Sequence, residues 1–325
     1  RGAHVLAGVP MANVELAPPA DLAGAGLALV ALLAALRLAR GSRRASAGRP
    51  LQLSPAPPAQ TPRRRRPALV VAVVLVATGS VVSVSDTTPP LRVSVLDVGQ
   101  GDAILLEAAD GTRMLVDGGP DPDLLVRRLD ERIPVWDRRI DLAVLTHPHE
   151  DHSGGLAGLA PRYAVGRIAE TGMRSEGAGV RELRAAAERY GIARVRLTEG
   201  DRFRLGDARV DVVWPPRDWL PERMLSDGRA INGTSIVLAI GVGRLRILLT
   251  GDLEDDHDLD ILERIDDEGR RWDLLKVAHH GSATASSRPL LEAMRPRLAA
   301  VSAGSDNRYG HPARVTLERL QAVGA

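Results

Sequence analysis

Two kinds of hydrophobic pattern divide the chain near residue 90. Before that point lie two runs in which apolar residues occupy nearly every position, residues 22–39 and 67–84. The first run holds one charge, an arginine near its end, and the second holds none. Such runs are near the lower length limit for a helix that crosses a bilayer. We therefore predict two transmembrane helices, with a buried core helix as the alternative for the first run and a signal peptide as the alternative for the second.

The segment between the two runs, residues 40–66, is polar and basic. It carries eight arginines and no acidic residue, and it includes the proline-rich sequence SPAPPAQTP. Because this composition cannot build a core, we expect a flexible linker; a solvated tail or a nucleic-acid patch is the alternative reading of its arginines. Arginine-rich loops beside membrane spans stay in the cytoplasm. The pattern predicts a multi-pass protein of the cell membrane in which residues 1–39 end a membrane region, the linker is cytoplasmic and the part after residue 85 is extracytoplasmic.

From residue 91 onward, short apolar strands alternate with amphipathic helices. The periodicity predicts strands at residues 92–98, 103–108, 112–116, 141–145, 208–214, 235–240, 244–249, 274–278 and 298–302. It predicts helices at residues 124–133, 181–190 and 254–265, and from residues 288 and 312 onward. Asp110 and Gly111 form a predicted hairpin turn. Because two sheets flanked by helices accommodate this order, we predict one αββα sandwich domain over residues 91–325.

Composition and charge narrow the chemistry. The chain has no cysteine, so disulfides and thiolate metal ligands are excluded, and a metal must be held by histidine, carboxylate or amide side chains. Residues 1–84 carry ten arginines against two acidic residues, a net charge of +8, and the remainder carries 33 basic and 39 acidic residues, a net charge of −6. Lys276 is the only lysine, which we interpret as codon bias. Because the chain begins with Arg1, we expect it to be part of a longer protein.

The sequence THPHEDH, residues 146–152, directly follows a predicted buried strand. Four candidate metal ligands therefore leave the end of one strand: His147, His149, Asp151 and His152. A tight turn can direct the first two at one cation and the last two at a second, and imidazole and carboxylate suit divalent transition metals. A polar loop whose histidines only form hydrogen bonds is the structural alternative.

The spacing HxHxDH resembles the signature of the metallo-β-lactamase superfamily, and further motifs follow in the order typical of that family. Asp117 in LVDGG resembles a carboxylate that supports the site without binding metal. Asp252 in LLTGD resembles the carboxylate that bridges both metals. His279 and His280 in KVAHHGS resemble the late histidine motif. The resemblance implies a two-metal hydrolase on the predicted sandwich fold.

A narrower resemblance covers the chain from about residue 91 to its end. The sequences VLDVGQGDA, HPHEDHSGG, NGTSIVL and NRYGHP are together similar to the extracytoplasmic domain of the ComEC/Rec2 competence proteins, which are membrane channels for DNA uptake. The resemblance implies DNA as a partner, as a single strand or a duplex. It also implies an association with the membrane, with the rest of the competence permease and with the DNA-uptake machinery.

The resemblance assigns roles residue by residue. One metal would be held by His147, His149 and Asp252, and the other by Asp151, His152, Asp252 and one residue of the late pair, for which we choose His280. Asn232 stands where many members place a third histidine on the first metal. Because an amide is a weaker ligand than imidazole, we expect a loosely held first metal, and the two divalent ions to be zinc or manganese.

The remaining polar residues of the motifs receive supporting roles. His279 is free to contact a substrate phosphate or to protonate a leaving group. His311 is a candidate for the same role, and capping of the helix that follows is the equal alternative. Asp102 and Asn307 are candidates for orienting the ligands. His257, in the acidic sequence EDDHD, is predicted to face solvent.

Three functions fit these features. The first is metal-dependent hydrolysis of phosphodiesters in DNA, with the discarded strand of an incoming duplex as the target. The second is a surface-anchored hydrolase of a small ester or phosphoester, because one such site serves many substrates. The third is a non-enzymatic cap on a DNA channel. The net charge of −6 opposes attraction of a polyanion, which we expect three arginines near the site to offset: Arg162, Arg167 and Arg174.

Overall fold

A computed structural model describes residues 13–16, 89–219, 226–265 and 269–325 of the chain. The two predicted transmembrane runs, residues 22–39 and 67–84, and the predicted linker, residues 40–66, lie outside the described residues. Among the helices of the described part, none combines the length and the apolar character that a membrane span requires.

The first sheet has seven strands that follow one another in chain order. The first four strands pair antiparallel, and from the fourth strand onward the pairing is parallel. The carboxyl ends of the last four strands therefore meet at one edge of the sheet. The strands are β1 (Asn13–Leu16), β2 (Leu91–Val95), β3 (Ile104–Ala108), β4 (Arg113–Val116), β5 (Arg139–Val144), β6 (Ala164–Glu170) and β7 (Ala193–Arg196).

The second sheet has six strands, which are β8 (Arg202–Leu205), β9 (Ala208–Trp214), β10 (Val237–Val242), β11 (Leu245–Leu249), β12 (Leu274–Lys276) and β13 (Ala299–Ala300). Across the sheet their order is β13-β12-β11-β10-β9-β8. Strands β8, β9, β10 and β11 pair antiparallel, whereas β11, β12 and β13 pair parallel.

Helices cover the outer face of each sheet, and the main core lies between the sheets. Val93 and Met114 of the first sheet pack in one buried cluster with Leu238 and Ile247 of the second. The helices of the described residues are α1 (Pro122–Asp130), α2 (Glu150–Ser153), α3 (Ala178–Tyr190), α4 (Gly228–Asn232), α5 (Asp258–Arg264), α6 (Arg288–Met294) and α7 (Arg314–Val323). Helices α1 and α3 pack on the first sheet, and α5, α6 and α7 pack on the second. The predicted αββα sandwich is confirmed.

Helix α1 shows how the local sequence sets these elements. Asp121 caps the helix by accepting a hydrogen bond from the Leu124 N–H at 2.9 Å, and Pro122 occupies the first turn, where no N–H is needed. Leu125 and Leu129 are buried against the first sheet. Burial of one such side chain contributes about 1.5–3 kcal/mol, so this apolar face holds the helix on the sheet.

Four strands of the described structure were absent from the sequence prediction: β1, which pairs with β2, and β6, β7 and β8. Strand β6 includes Gly166 and exposes much of its first half, and β7 and β8 read ARVR and RFRL with mostly exposed arginines. The apolar residues of β6 do not alternate with polar ones, and β7 and β8 alternate over only four residues each, the shortest run that indicates a strand. They are strands because each pairs with a neighbour that the core already holds in place.

Candidate metal centre

The candidate ligands lie where loops leave the strands of both sheets. Asp117 follows β4, and the loop that begins with His147 follows β5 at the same edge of the first sheet. Asp252 follows β11 of the second sheet, and the late histidine pair follows β12. The structure brings these four loops together at one end of the sandwich, although they are far apart in sequence.

Asp252 lies at the centre of the cluster. Its Oδ2 atom is 3.3 Å from Nε2 of His152 and 3.3 Å from Nε2 of His280. Nε2 of His147 and Nε2 of His279 are farther from this oxygen, at 4.0 and 3.9 Å. The Asp252 side chain is 3% exposed, and its Oδ1 atom accepts no hydrogen bond from the described residues. A buried carboxylate with four imidazoles around it is placed to contact two cations.

We call His147, His149 and Asn232 the first half of the centre. Nε2 of His147 is 3.0 Å from Nδ1 of His149. Two ligands at a bond length of about 2.1 Å from one cation are separated by about 3 Å, so this pair can share a cation. Nδ1 of His147 contacts only hydroxyl groups, of Thr146 at 3.1 Å and of Ser235 at 3.4 Å.

We call Asp151, His152 and His280 the second half. Nε2 of His280 is 3.2 Å from Oδ2 of Asp151, and Nε2 of His152 is 3.9 Å from Oδ1. Nδ1 of His152 is 2.8 Å from Oδ2 of Asp117, and Nδ1 of His280 is 2.9 Å from the backbone oxygen of Ser302. When an oxygen acceptor holds Nδ1, Nε2 presents its lone pair. Both rings are therefore oriented as ligands.

Asp117 supports the second half from behind. Its Oδ1 accepts a hydrogen bond from the Thr146 N–H at 2.8 Å, and its Oδ2 accepts one from the Thr146 hydroxyl at 2.7 Å. The backbone of Asp117 has a φ of 61°, a left-handed conformation that aspartate tolerates better than most residues. The contacts place Asp117 as a positioning residue for His152.

The late histidine pair diverges. His279 and His280 both have a positive φ, of 46° and 53°, a strained conformation that occurs mainly at functional sites. The His280 side chain is 2% exposed and contacts Asp252, whereas the His279 side chain is 26% exposed. The geometry favours His280 as the metal ligand and leaves His279 at the mouth of the site.

Lys276 forms a buried ion pair beneath the second half. Its Nζ is 2.7 Å from Oδ2 of Asp102, and both side chains are 1% exposed. The other oxygen of Asp102 is 3.4 Å from Nδ1 of His280. Burial would raise the pKa of Asp102, but the charge of Lys276 lowers it to about 2. The only lysine of the chain, for which codon bias is therefore not a sufficient interpretation, holds a carboxylate next to a candidate ligand.

The charges around the rings differ between the two halves. Burial lowers the pKa of His147 well below its usual value and lowers the pKa of His149 as well. Burial acts on His152 and His280 in the same direction, but the carboxylate of Asp252 and its neighbours outweigh it and raise both pKa values well above the usual range. The same two histidines hold the pKa of Asp252 well below its usual value despite burial. The second half therefore attracts a positive charge strongly.

Glu254 is a site residue that no sequence motif indicated. It is 3% exposed and lies two positions after Asp252. Its Oε1 is 2.9 Å from Nδ1 of His279 and accepts a hydrogen bond from Nδ2 of Asn232 at 3.1 Å. Oδ1 of Asn232 is buried and accepts no hydrogen bond from the described residues, so it is the atom of Asn232 that could reach a cation.

His311 lies beside the site, and the alternative that it caps the following helix is wrong. The residue that caps α7 is Ala313, because the helix begins two positions later than predicted, at Arg314. The ring of His311 is 5.5 Å from the ring of His279, centroid to centroid. The structure thus places His311 at the mouth of the site, next to His279.

Two further expectations need correction. His257 does not face solvent: its side chain is 18% exposed and its ring packs on Trp214 and Trp219 at centroid distances of 4.7 and 5.3 Å. The short 3₁₀ turn Asp255–His257 brings it onto rings that are distant in sequence. Arg162 precedes β6 and therefore lies at the sheet edge opposite the site, whereas Arg174 follows β6 and is exposed on the site's edge.

The donor set fits divalent metal ions. In the described structure, Nε2 of His152 and Nε2 of His280 form no hydrogen bond of normal geometry, although carboxylate oxygens lie within 3.3 Å of both. Buried nitrogens and oxygens that converge without good hydrogen bonds are typical of metal ligands. Separations of 3.0 to 3.3 Å between the candidate ligand atoms match two ligands on one cation.

Comparison with known proteins points to the same family as the sequence motifs. A family model described as the Metallo-beta-lactamase superfamily matches residues 96–305. ComE operon protein 3 of Bacillus subtilis is 29% identical over 247 residues, and Competence protein ComA of Neisseria gonorrhoeae is 30% identical over 233 residues. Recombination protein 2 of Haemophilus influenzae is 27% identical over 241 residues.

Each of these three alignments covers 71% of this chain but only 30%, 30% and 26% of the relatives' own lengths. The chain thus spans less than a third of these curated relatives. The family match, in contrast, covers more than half of the chain and contains every candidate ligand of both halves. The chain therefore belongs to the metallo-β-lactamase superfamily, and its homologues include competence proteins of the ComEC/Rec2 family.

Proposed function

We propose that this chain is a metal-dependent phosphodiesterase that cleaves DNA during uptake across the cell membrane. The observation that carries the hydrolase part is the buried Asp252 carboxylate, which lies within 4.0 Å of ligand nitrogens from both halves of the centre. The DNA part rests on the competence proteins among its homologues.

Each half would hold one divalent ion, zinc or manganese, and Asp252 would contact both. The first ion would be held by Nε2 of His147 and Nδ1 of His149, with Asn232 as a weak third ligand. The second ion would be held by Asp151, His152 and His280. A pair of divalent ions in such a site supplies a nucleophile from water near neutral pH and stabilises the charge of the transition state.

The protein's own residues complete the chemistry at the mouth of the site. His279 is partly exposed, and Oε1 of Glu254, 2.9 Å away, fixes its Nδ1. Its Nε2 lies 3.9 Å from Oδ2 of Asp252, on the side of the candidate ions, and 3.5 Å from Nδ2 of Asn232. From this position, a protonated His279 can bind a substrate phosphate or donate a proton to the leaving oxygen. His311, whose ring lies next to that of His279, can bind or protonate the same group of the substrate.

The cellular setting follows from the sequence outside the described residues. The two apolar runs at residues 22–39 and 67–84 would anchor the chain, and the basic segment between them would stay in the cytoplasm. The hydrolase domain would then lie outside the membrane, where it meets incoming DNA and degrades the strand that is discarded. A reporter fused after Ala325 that is active only in the cytoplasm would contradict this topology.

The direct test is a nuclease assay of the full chain with Mn²⁺ or Zn²⁺ on labelled single-stranded and duplex DNA. We expect cleavage that depends on the metal and stops when a chelator is added. Hydrolysis of small phosphoesters without cleavage of DNA would favour the surface-anchored esterase. A chain that binds metal and needs it to fold, yet hydrolyses none of these substrates, would favour the channel cap.

A further inference from the structure

The turn at residues 304–312 is held rigidly beside the mouth of the metal centre. The side chain of Asn307 braces it with four hydrogen bonds to the backbone of the turn. Its Nδ2 donates to the carbonyls of Gly304 and His311, each at 2.6 Å. Its Oδ1 accepts from the N–H groups of Tyr309 and His311, at 3.2 and 3.0 Å. What this turn displays is therefore fixed in position.

The turn displays Tyr309, whose side chain remains exposed. Tyr309 is 56% exposed, and its ring lies nearly parallel to the ring of His311, with an angle of 16° and a centroid distance of 5.8 Å. His311 in turn lies 5.5 Å from His279, and Nε2 of His279 is 3.9 Å from Asp252. A row of rings thus leads from the protein surface to the candidate metal ions.

Exposed aromatic rings are scarce in this protein. The whole chain has eight Phe, Trp and Tyr residues, and four of them are exposed: Trp136, Tyr190, Trp219 and Tyr309. Of these four, Tyr309 lies beside the metal centre, because its ring neighbours His311, which in turn neighbours His279. A rigid, exposed aromatic ring at a catalytic mouth is well suited to stack on a flat ligand group.

We propose that Tyr309 is the stacking platform for an unpaired nucleobase next to the phosphodiester that is cleaved. The proposal rests on the proposed phosphodiesterase function and specifies its substrate as single-stranded nucleic acid. A base within a duplex has both faces covered by its neighbours, whereas a base in a single strand is free to stack on an aromatic side chain. Stacking also accepts every base, as a non-specific nuclease requires.

Arg308 adds positive charge to this platform. Its guanidinium carbon lies 5.2 Å from the centre of the Tyr309 ring, and its Nη2 is 3.2 Å from the Tyr309 hydroxyl. A cation at this place can meet the backbone phosphate of the nucleotide whose base is stacked. Arg308 provides this local positive charge although the described domain as a whole is acidic.

The test measures binding separately from hydrolysis. In EDTA, the full chain is titrated into two labelled oligonucleotides of equal length, one of thymidines and one with an abasic site at each position, and binding is followed by fluorescence anisotropy. We expect tighter binding of the thymidine strand. Tyr309→Ala should weaken that binding about tenfold, on the scale of one lost base–aromatic stack, with little effect on the abasic strand.

Two variants control for other effects. Tyr309→Phe keeps the ring and should retain the preference for bases. Tyr190→Ala removes a tyrosine that is 47% exposed at the end of α3 and should bind as the wild type does. The proposal is overturned if the wild type binds both strands equally, if Tyr309→Ala keeps the preference, or if it weakens both strands equally.

Hydrolysis is then assayed with Mn²⁺ on the thymidine strand and on bis(p-nitrophenyl) phosphate, a diester without a base. We expect Tyr309→Ala to raise KM for the strand by a larger factor than KM for the small diester. A wild type that hydrolyses neither substrate refutes the phosphodiesterase function, whereas the anisotropy result still decides whether Tyr309 stacks a base.

Discussion

The two halves of the metal centre differ in how their rings are held and in how much charge faces them. In the second half, Nδ1 of His152 and Nδ1 of His280 are held by oxygen acceptors at 2.8 and 2.9 Å. In the first half, Nδ1 of His147 contacts only hydroxyls at 3.1 Å and beyond. The second half also has a carboxylate of its own, Asp151, whereas the first half shares Asp252 and adds an amide.

This difference has a physical consequence for metal binding. A ring whose far nitrogen is already held does not lose orientational freedom when a cation binds, and its basicity is raised by the acceptor. Two carboxylates also neutralise a divalent cation more fully than one. We therefore expect the second half to bind its ion more tightly than the first, and the first half to govern whether the chain carries one ion or two.

The largest expected effect comes from Asp252→Asn, because this carboxylate serves both halves. Loss of its charge should lower Mn²⁺-dependent cleavage of labelled DNA by at least about 10²–10³-fold, the scale for removal of one transition-state contact. The fold, followed by circular dichroism, should survive, since the core lies between the sheets. Asp256→Asn is the matched control, because that side chain is 51% exposed, and it should cleave as the wild type does. Equal cleavage by wild type and Asp252→Asn would exclude the two-metal mechanism.

The second prediction concerns the buried ion pair beneath the second half. Lys276→Met leaves the Asp102 carboxylate buried without its partner, which costs about 3–5 kcal/mol in the free energy of unfolding. Denaturant titration of the full chain measures the loss. The double variant Lys276→Met, Asp102→Asn removes both charges and should recover part of it. Arg288→Met, which breaks the exposed pair with Glu292, should leave the stability unchanged. If Lys276→Met is as stable as the wild type, the ion pair does not support the site.

The third prediction tests the positioning role of Asp117. Asn fits the same left-handed backbone but removes the negative charge that Nδ1 of His152 faces. Asp117→Asn should weaken metal binding by the second half about 10–100-fold, as is usual when such a partner is lost. Calorimetric titration with Mn²⁺ measures the change, and the first half serves as the internal control. An equal loss of Mn²⁺ affinity in both halves would indicate that the substitution damages the fold.

The smallest expected effect is a gain in the metal affinity of the first half. Asn232→His supplies an imidazole where the first half has only an amide, and imidazole is the better ligand for zinc. We expect the Zn²⁺ affinity of the first half to rise about tenfold, or ~1.4 kcal/mol. The difference in Zn²⁺ affinity between the two halves should then become smaller. A decrease in Zn²⁺ affinity would show that the hydrogen bond from Asn232 to Glu254 matters more than the ligand type.

The sequence predicts the site better than its surroundings, for a physical reason. His147, His149, Asp151 and His152 lie within six positions after a buried strand, so one local motif contains two of the three residues of each half. The sandwich followed from apolar alternation in the central strands. Strands β7 and β8 escaped prediction because each alternates over only four residues, with two apolar positions between exposed arginines.

Contacts between distant segments could not be predicted from local patterns. Lys276 and Asp102 are 174 positions apart, and neither position signals that both are buried together. His257 looks solvated in its acidic sequence because Trp214, against which it packs, belongs to β9 and is distant in sequence. Glu254 had a signal, its place two residues after Asp252, but the acidic residues that follow it obscured that signal.

The most direct test of the difference between the two halves is anomalous X-ray diffraction from crystals soaked in Mn²⁺ at increasing concentration. At limiting Mn²⁺, we predict one anomalous peak, among Asp151, His152, His280 and Asp252. At higher Mn²⁺, a second peak should appear beside His147 and His149, with Asp252 in contact with both. Filling of the first half before the second, or a single peak at every concentration, would contradict the predicted difference in affinity between the two halves.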